Sequence, residues 1–196
     1  MRGRMRRPLL ILFAAVLLVL ALAPAGASAR KQHGHVGACA SSHAAIEQGQ
    51  VKRARTATLC LLNRIRTRAG LRKLKLNPKL SRAARQHSRE MVRRGYFAHN
   101  SANGHTPFDR MLRTHYVPRN ASWWLAENIG WGGGSLAEPA AVVRMWMHSP
   151  PHRANILAGR YRHIGIGIAL GTPKGGAHAS RGPAGATYTT DFGGHS

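Results

Sequence analysis

Acidic side chains are scarce in this 196-residue chain: Glu47, Glu90, Asp109, Glu127, Glu138 and Asp191 stand against 30 lysines and arginines. Any chemistry that needs a carboxylate must draw on those six. Cysteine is scarcer still. Cys39 and Cys60 lack C-x-x-C spacing, which argues against zinc held by this pair. No H-E-x-x-H occurs, so a zincin protease is excluded. Ser135 sits in GGGSLAE rather than in a G-x-S-x-G turn after a strand, which excludes an esterase nucleophile there. The apolar run from Leu9 to Leu22 is shorter than the roughly 20 residues of a bilayer span. No internal repeat is visible.

The amino terminus reads as an export signal over residues 1–29. Arg2, Arg4, Arg6 and Arg7 precede the apolar run, and Ala27-Ser28-Ala29 supplies small residues for cleavage before Arg30. An uncleaved anchor is the alternative. Removing the four leader arginines from the formal charge of +24 leaves +20. Such a charge attracts polyanions, which outside a cell are anionic wall polymers, acidic lipid headgroups or free nucleic acid. In an oxidising compartment Cys39 and Cys60 are expected to form a disulfide. It would tie down an otherwise flexible arm, residues 30–57, in which His33, His35 and His43 lie among Gly, Ala and Ser. A metal-binding tract in that arm is the sharper alternative.

The rest suits one domain, with helices first and strands last, an α+β pattern. Leu59, Leu62, Ile65 and Ala69 recur at helical steps over 51–69, with arginines filling the other positions. LRKLKL, 71–76, reads as a short extended piece. Asn77-Pro78 opens a second helix and Gly95 closes it, with His87 on its core stripe as a structural histidine. Thr106-Pro107 opens a third. Ser135 to Glu138 reads as a capping box for a helix that ends near Ser149, where Pro150 and Pro151 act as stops. Two strands follow, RHIGIGIAL and TYTTDFG, joined by a mobile loop over 171–186.

His99, Glu127 and His152 each lie just outside a regular element, where side chains project from a scaffold without filling its core. Two imidazoles and one carboxylate at one point would share a water, bind a transition metal, or form a polar network.

YFAHNS, AENIG, VVRMWMHSPPHRANIL, HIGIGIAL and YTTDFG occur here in an order and spacing that resemble the bacterial branch of the CAP superfamily. That is the SCP domain shared by cysteine-rich secretory proteins, antigen 5 and pathogenesis-related 1 proteins. The resemblance covers residues 58–193. It implies an α-β-α sandwich around a central antiparallel sheet, with a cleft lined by two histidines and two acids. By that resemblance His99, His152 and Glu127 take three of the four positions. The fourth, a glutamate in the eukaryotic branch, falls on Ser149, and Ala126 stands where the family has glycine. A divalent metal such as zinc would then rest on His99, His152 and Glu127. Asn128 and Asn155 are expected to pin loops, Arg153 to pair with Glu127 or Asp191 or stay solvated, and the tryptophans to form core and cleft wall.

Three functions compete at this point. The favoured one is a secreted, monomeric binding module for a cell-envelope polymer, lipid or protein ligand, with no turnover. The others are a hydrolase in which Glu127 or a bound metal activates water, and a non-specific binder of extracellular nucleic acid or other polyanions.

Overall fold

Local capping chemistry sets the helix boundaries in the computed structural model, which describes residues 39–173 and 185–196. The leader, His33, His35 and most of the loop between the last two strands lie outside the described residues. The elements run α1 (Val51–Arg68), β1 (Lys75–Leu76), α2 (Pro78–Arg94), α3 (Pro107–Leu112), β2 (Trp123–Gly133), α4 (Pro139–His148), α5 (Pro150–Leu157), β3 (His163–Leu170) and β4 (Gly185–His195). Asn77 accepts the N–H groups of Lys79 and Leu80, and Gly95 ends α2 in the left-handed region that only glycine enters freely. Thr106 and Asp109 form a reciprocal capping box on α3.

Three local expectations fail. Ser135–Glu138 caps nothing: Gly134–Ala137 is a 3-10 turn, and the Glu138 side chain makes no cap bond. Pro150 and Pro151 do not simply stop a helix; they begin α5, because the first turn has no intrahelical N–H bonds for proline to lose. The stretch around Glu127 is an eleven-residue strand. Its glycines obscure the alternation, and pairing with β4 along its whole length holds it extended.

The sheet order is β1-β3-β4-β2, antiparallel except where two-residue β1 runs parallel to β3. On one face Ile164, Ile166 and Ile168 join Tyr188 and Phe192 in a core with Leu62 of α1, Trp146 of α4 and Ile156 of α5. On the other face, Gly165 and Gly167 let the α2 backbone lie directly on the sheet: a Cβ at either would come within 2.2 Å of the main chain at Leu80 or Ala84. The result is an α-β-α sandwich. No helix among the described residues is long and apolar enough to cross a membrane.

Edge strand β2 is capped from the α4 and α5 side. Trp146 Nε1 donates to Ile129 O at 2.8 Å, and Asn155 Nδ2 donates to Glu127 O at 3.3 Å. These bonds satisfy carbonyls that an open sheet edge would leave to water or another chain. Cys39 and Cys60 are joined, fastening the segment before α1 onto that helix. Their separation of 21 residues predicts a loss of about 3 kcal/mol when both become serine. Urea denaturation of the Cys39→Ser/Cys60→Ser protein checks this; a loss below about 1 kcal/mol would mean the unfolded chain is not loosened by opening that loop.

Arg66, which the helical pattern placed among the polar positions of α1, is fully buried. Its guanidinium donates to the carbonyls of Arg72, Ile156, Ala158 and Tyr161 at 2.7–3.3 Å. It binds the end of α1 to the end of α5 and the approach to β3.

Candidate functional site

Glu127 lies on β2 with its side chain on the α2 and α3 face and only 1% exposed. His99, from the loop after α2, donates through Nδ1 to Glu127 Oε1 at 2.8 Å. Arg110 of α3 donates through Nη2 to Oε2 at 2.5 Å. Its other terminal nitrogen, Nη1, reaches Ser101 Oγ and His105 O, each at 3.2 Å. Both carboxylate oxygens are thus engaged by donors held from separate elements. His99 is half exposed, and its Nε2 has no protein partner among the described residues, so it is open to a ligand. His99 and Glu127 line a cavity of about 360 Å³ whose walls include Phe108, Asn155, Arg160 and Tyr161.

His152 arrives from the opposite side of the β2 edge, in the first turn of α5. Its carbonyl accepts from Asn128 Nδ2 at 3.1 Å, and Asn155 Nδ2 reaches Asn128 Oδ1 at 2.9 Å, so both asparagines pin α5 to β2. Among the described residues, His152 Nδ1 is buried without a partner. Burial first, then the nearby charge of His99, lower its pKa from the ordinary imidazole value and favour the neutral ring. His87 is fully buried, with Nε2 donating to Ala98 O at 2.9 Å. Burial likewise lowers its pKa, as a core histidine requires. Ser149 does not line the His99 cavity. It forms the joint between α4 and α5, on the wall of a different groove with Trp131 and Met145.

The metal set expected on His99, His152 and Glu127 does not fit this arrangement. Among the described residues no group of three or more His, Cys, Asp or Glu side chains is placed to hold an ion. Glu127 spends its oxygens on His99 and Arg110, and an arginine against the carboxylate repels a cation. Two imidazoles are what remains of the donor set.

Two residues of the site escape a reading of the sequence. Arg110 is one of 30 basic residues, and nothing local distinguishes the one that reaches Glu127. Asp191, considered only as a partner for Arg153, lies directly opposite Glu127 in the β2–β4 register. It is 1% exposed, and among the described residues no N–H or O–H group donates to either of its oxygens. Arg153 is exposed and pairs with neither acid. Burial first, then the charge of Glu127, raise the Asp191 pKa well above the ordinary aspartate value, with Arg110 opposing. Asp191 is therefore the neutral acid over a range where free aspartates ionise, and its proton can be donated to Glu127. The sign follows. The unfolded chain releases this proton near pH 4 and the folded chain retains it, so folding loses stability as pH rises above about 4. Asp191→Asn removes that loss while keeping a donor. Urea midpoints from pH 4 to pH 8 are expected to favour the variant increasingly with pH and then level off; histidine contributions cancel in the difference. A difference independent of pH would show that Asp191 ionises as in the unfolded chain.

The family model described as the cysteine-rich secretory protein family, CAP, matches residues 59–181. The uncharacterised protein YkwD of Bacillus subtilis strain 168 is 37% identical over 107 residues, which make up 55% of this chain and 39% of YkwD. An extracellular protein containing an SCP domain, from Bacillus anthracis str. Ames, superposes with a TM-score of 0.53 at 26% identity, covering 75% of this chain and 41% of that one. An outer surface protein from Borrelia burgdorferi gives 0.58 at 16% identity over 77% of this chain and 97% of that one, a likeness of fold alone. The chain spans less than half the length of the curated relatives it matches.

Proposed function

The chain belongs to the cysteine-rich secretory protein (CAP) family, and on that premise we propose that it is an exported binding module that holds a cell-envelope or extracellular ligand without turning it over. The engagement of Glu127 carries this reading. A general base needs a free lone pair at the reacting proton, whereas Glu127 is buried and accepts from both His99 and Arg110. Such a network is suited to holding a loop and presenting one imidazole nitrogen to a guest. One observation favours hydrolysis as a second reading: burial first and His99 next lower the His152 pKa, which favours the neutral ring, and its Nδ1 has no partner among the described residues.

The test is sedimentation of the purified protein with envelope fragments, read both as bound protein and as soluble fragment released over time. Saturable binding with no release, weakened by His99→Ala, is the expected result. Time-dependent release that His152→Ala abolishes would make the protein a hydrolase. Export is checked by sequencing the amino terminus of protein recovered from the culture medium, expected at or near Arg30; an intact leader in a membrane pellet would make it an anchor.

A further inference from the structure

A second concavity lies on the far side of Arg110 from Glu127. It measures about 610 Å³ and lies between the outward face of α2 and the α3 region. Arg82, Arg89 and Arg93 project along one stripe of α2, at steps of seven and four residues that bring side chains to the same helix face. Arg113, at the end of α3, and Arg110 face them. The single acid in the lining is Glu90. Its carboxylate already takes the Ala102 N–H at 3.3 Å and stands 3.6 Å from Arg94 Nε, outside the cleft. Arg82 is tethered to Thr114 O at 3.1 Å and Arg110 to Glu127, whereas no acid among the described residues pairs with Arg89, Arg93 or Arg113.

Crowding of like charge is costly: at neighbouring Arg85 the pKa is lowered by burial first, then by Arg55, Arg89 and Arg82 in turn. A fold that leaves three of these guanidinium groups without an acid partner among the described residues presents a ready surface for an anion. Guanidinium forks match phosphate oxygens pairwise. From Arg82 to Arg93 the helix rises about 16 Å, more than one phosphate occupies, so the matching ligand carries several in series. None of the lining residues is Phe, Tyr or Trp. Grooves that hold single-stranded nucleic acid pair their basic residues with aromatic stacking platforms, and this one has none.

We infer that the Arg82–Arg89–Arg93–Arg113 cleft is a docking site for a base-free phosphodiester polymer, a chain of phosphates linked through glycerol or sugar. The site is separate from the His99 cavity, so it stands or falls independently of the function proposed above. It also gives the strong positive charge a specific location rather than a diffuse one.

The experiment uses the purified protein with three fluorescent probes of equal charge: poly(glycerol phosphate), a single-stranded DNA oligonucleotide and polyglutamate. Anisotropy titrations are run from 50 to 300 mM salt. Poly(glycerol phosphate) is expected to bind best, with affinity falling linearly in log salt. Arg89→Glu/Arg93→Glu/Arg113→Glu should weaken it on the order of 100-fold at the lower salt. The equal reversal Arg53→Glu/Arg68→Glu/Arg144→Glu, elsewhere on the surface, should change it less than about 5-fold. Equal losses in both triple variants would reduce the site to net charge and overturn the inference. Polyglutamate bound as well as the phosphate polymer would overturn the phosphate assignment, and DNA bound more tightly through the same three arginines would make the ligand a nucleic acid. Circular dichroism of each variant confirms folding. His99→Ala is expected to leave these titrations unchanged, which separates this site from the envelope reading of the other cavity.

Discussion

Arg66→Ala should cost about 5 kcal/mol, enough to leave much of the protein unfolded at room temperature, since domains of this size are stable by only about 5–15 kcal/mol. Four carbonyls that now accept from one guanidinium would lose their donors, in the loop after α1, at the end of α5 and in the turn into β3. Two of them, Ile156 O and Tyr161 O, are buried beyond the reach of water, and an unsatisfied buried carbonyl costs about 1–3 kcal/mol. The vacated volume adds a cavity in a region packed by Ile156 and Tyr161. Against this stands relief from burying a charge, which burial first and Arg162 next already disfavour. Arg66→Lys keeps the charge but presents a point of three donors instead of a planar fork, so it should lose roughly half as much. Chemical denaturation of both variants is the check. A loss under about 1 kcal/mol for the alanine variant would mean the loops close around the gap and find other donors.

Glu127→Ala is expected to cost about 3–5 kcal/mol, because it removes the carboxylate partner of the largely buried Arg110 charge and leaves a cavity behind it. Glu127→Gln should cost less, because the amide fills the same volume and its oxygen still accepts a hydrogen bond, while in this variant, as in the alanine one, the facing strand can supply a new charge. With the Glu127 charge gone, the repulsion that helps keep Asp191 protonated disappears, while Arg110 still favours the ionised form. Asp191 can then ionise and take over as counter-ion to Arg110 from the facing strand. The double variant Glu127→Gln/Asp191→Asn has no such replacement. Its stability should fall below the sum of the two single effects, a loss for Glu127→Gln and a gain for Asp191→Asn, by about 1–2 kcal/mol. Additive effects in a double-mutant cycle would show that the two carboxyl groups act independently despite their direct register.

Much of this architecture was legible before any coordinates. Asn77, Thr106 and Gly95 mark helix ends through bonds made within a few residues, so local chemistry sufficed. The alternation of Ile164, Ile166 and Ile168 with small residues likewise announced a strand. β2 was not legible, because WWLAENIGWGG carries neither a clean alternation nor strong strand formers at its centre; its extended form comes from β4. The double proline before His152 was ambiguous for a similar reason. A proline tells where a helix cannot pass, yet the same residue is well placed as the first residue of the next one.

By itself the sequence determined the helix ends, the oxidisable cysteine pair, the shortage of acids and the motifs that carry the family, because each is a property of composition or of neighbours along the chain. Tertiary structure alone decided which arginines are structural and which are free, and which acid faces Glu127. Arg66 finds its acceptors up to 95 residues away, and Asp191 meets Glu127 through strand register. Charge pairing and burial are set by distance in space, and in a chain with so many like charges no local pattern distinguishes the few that fold inward.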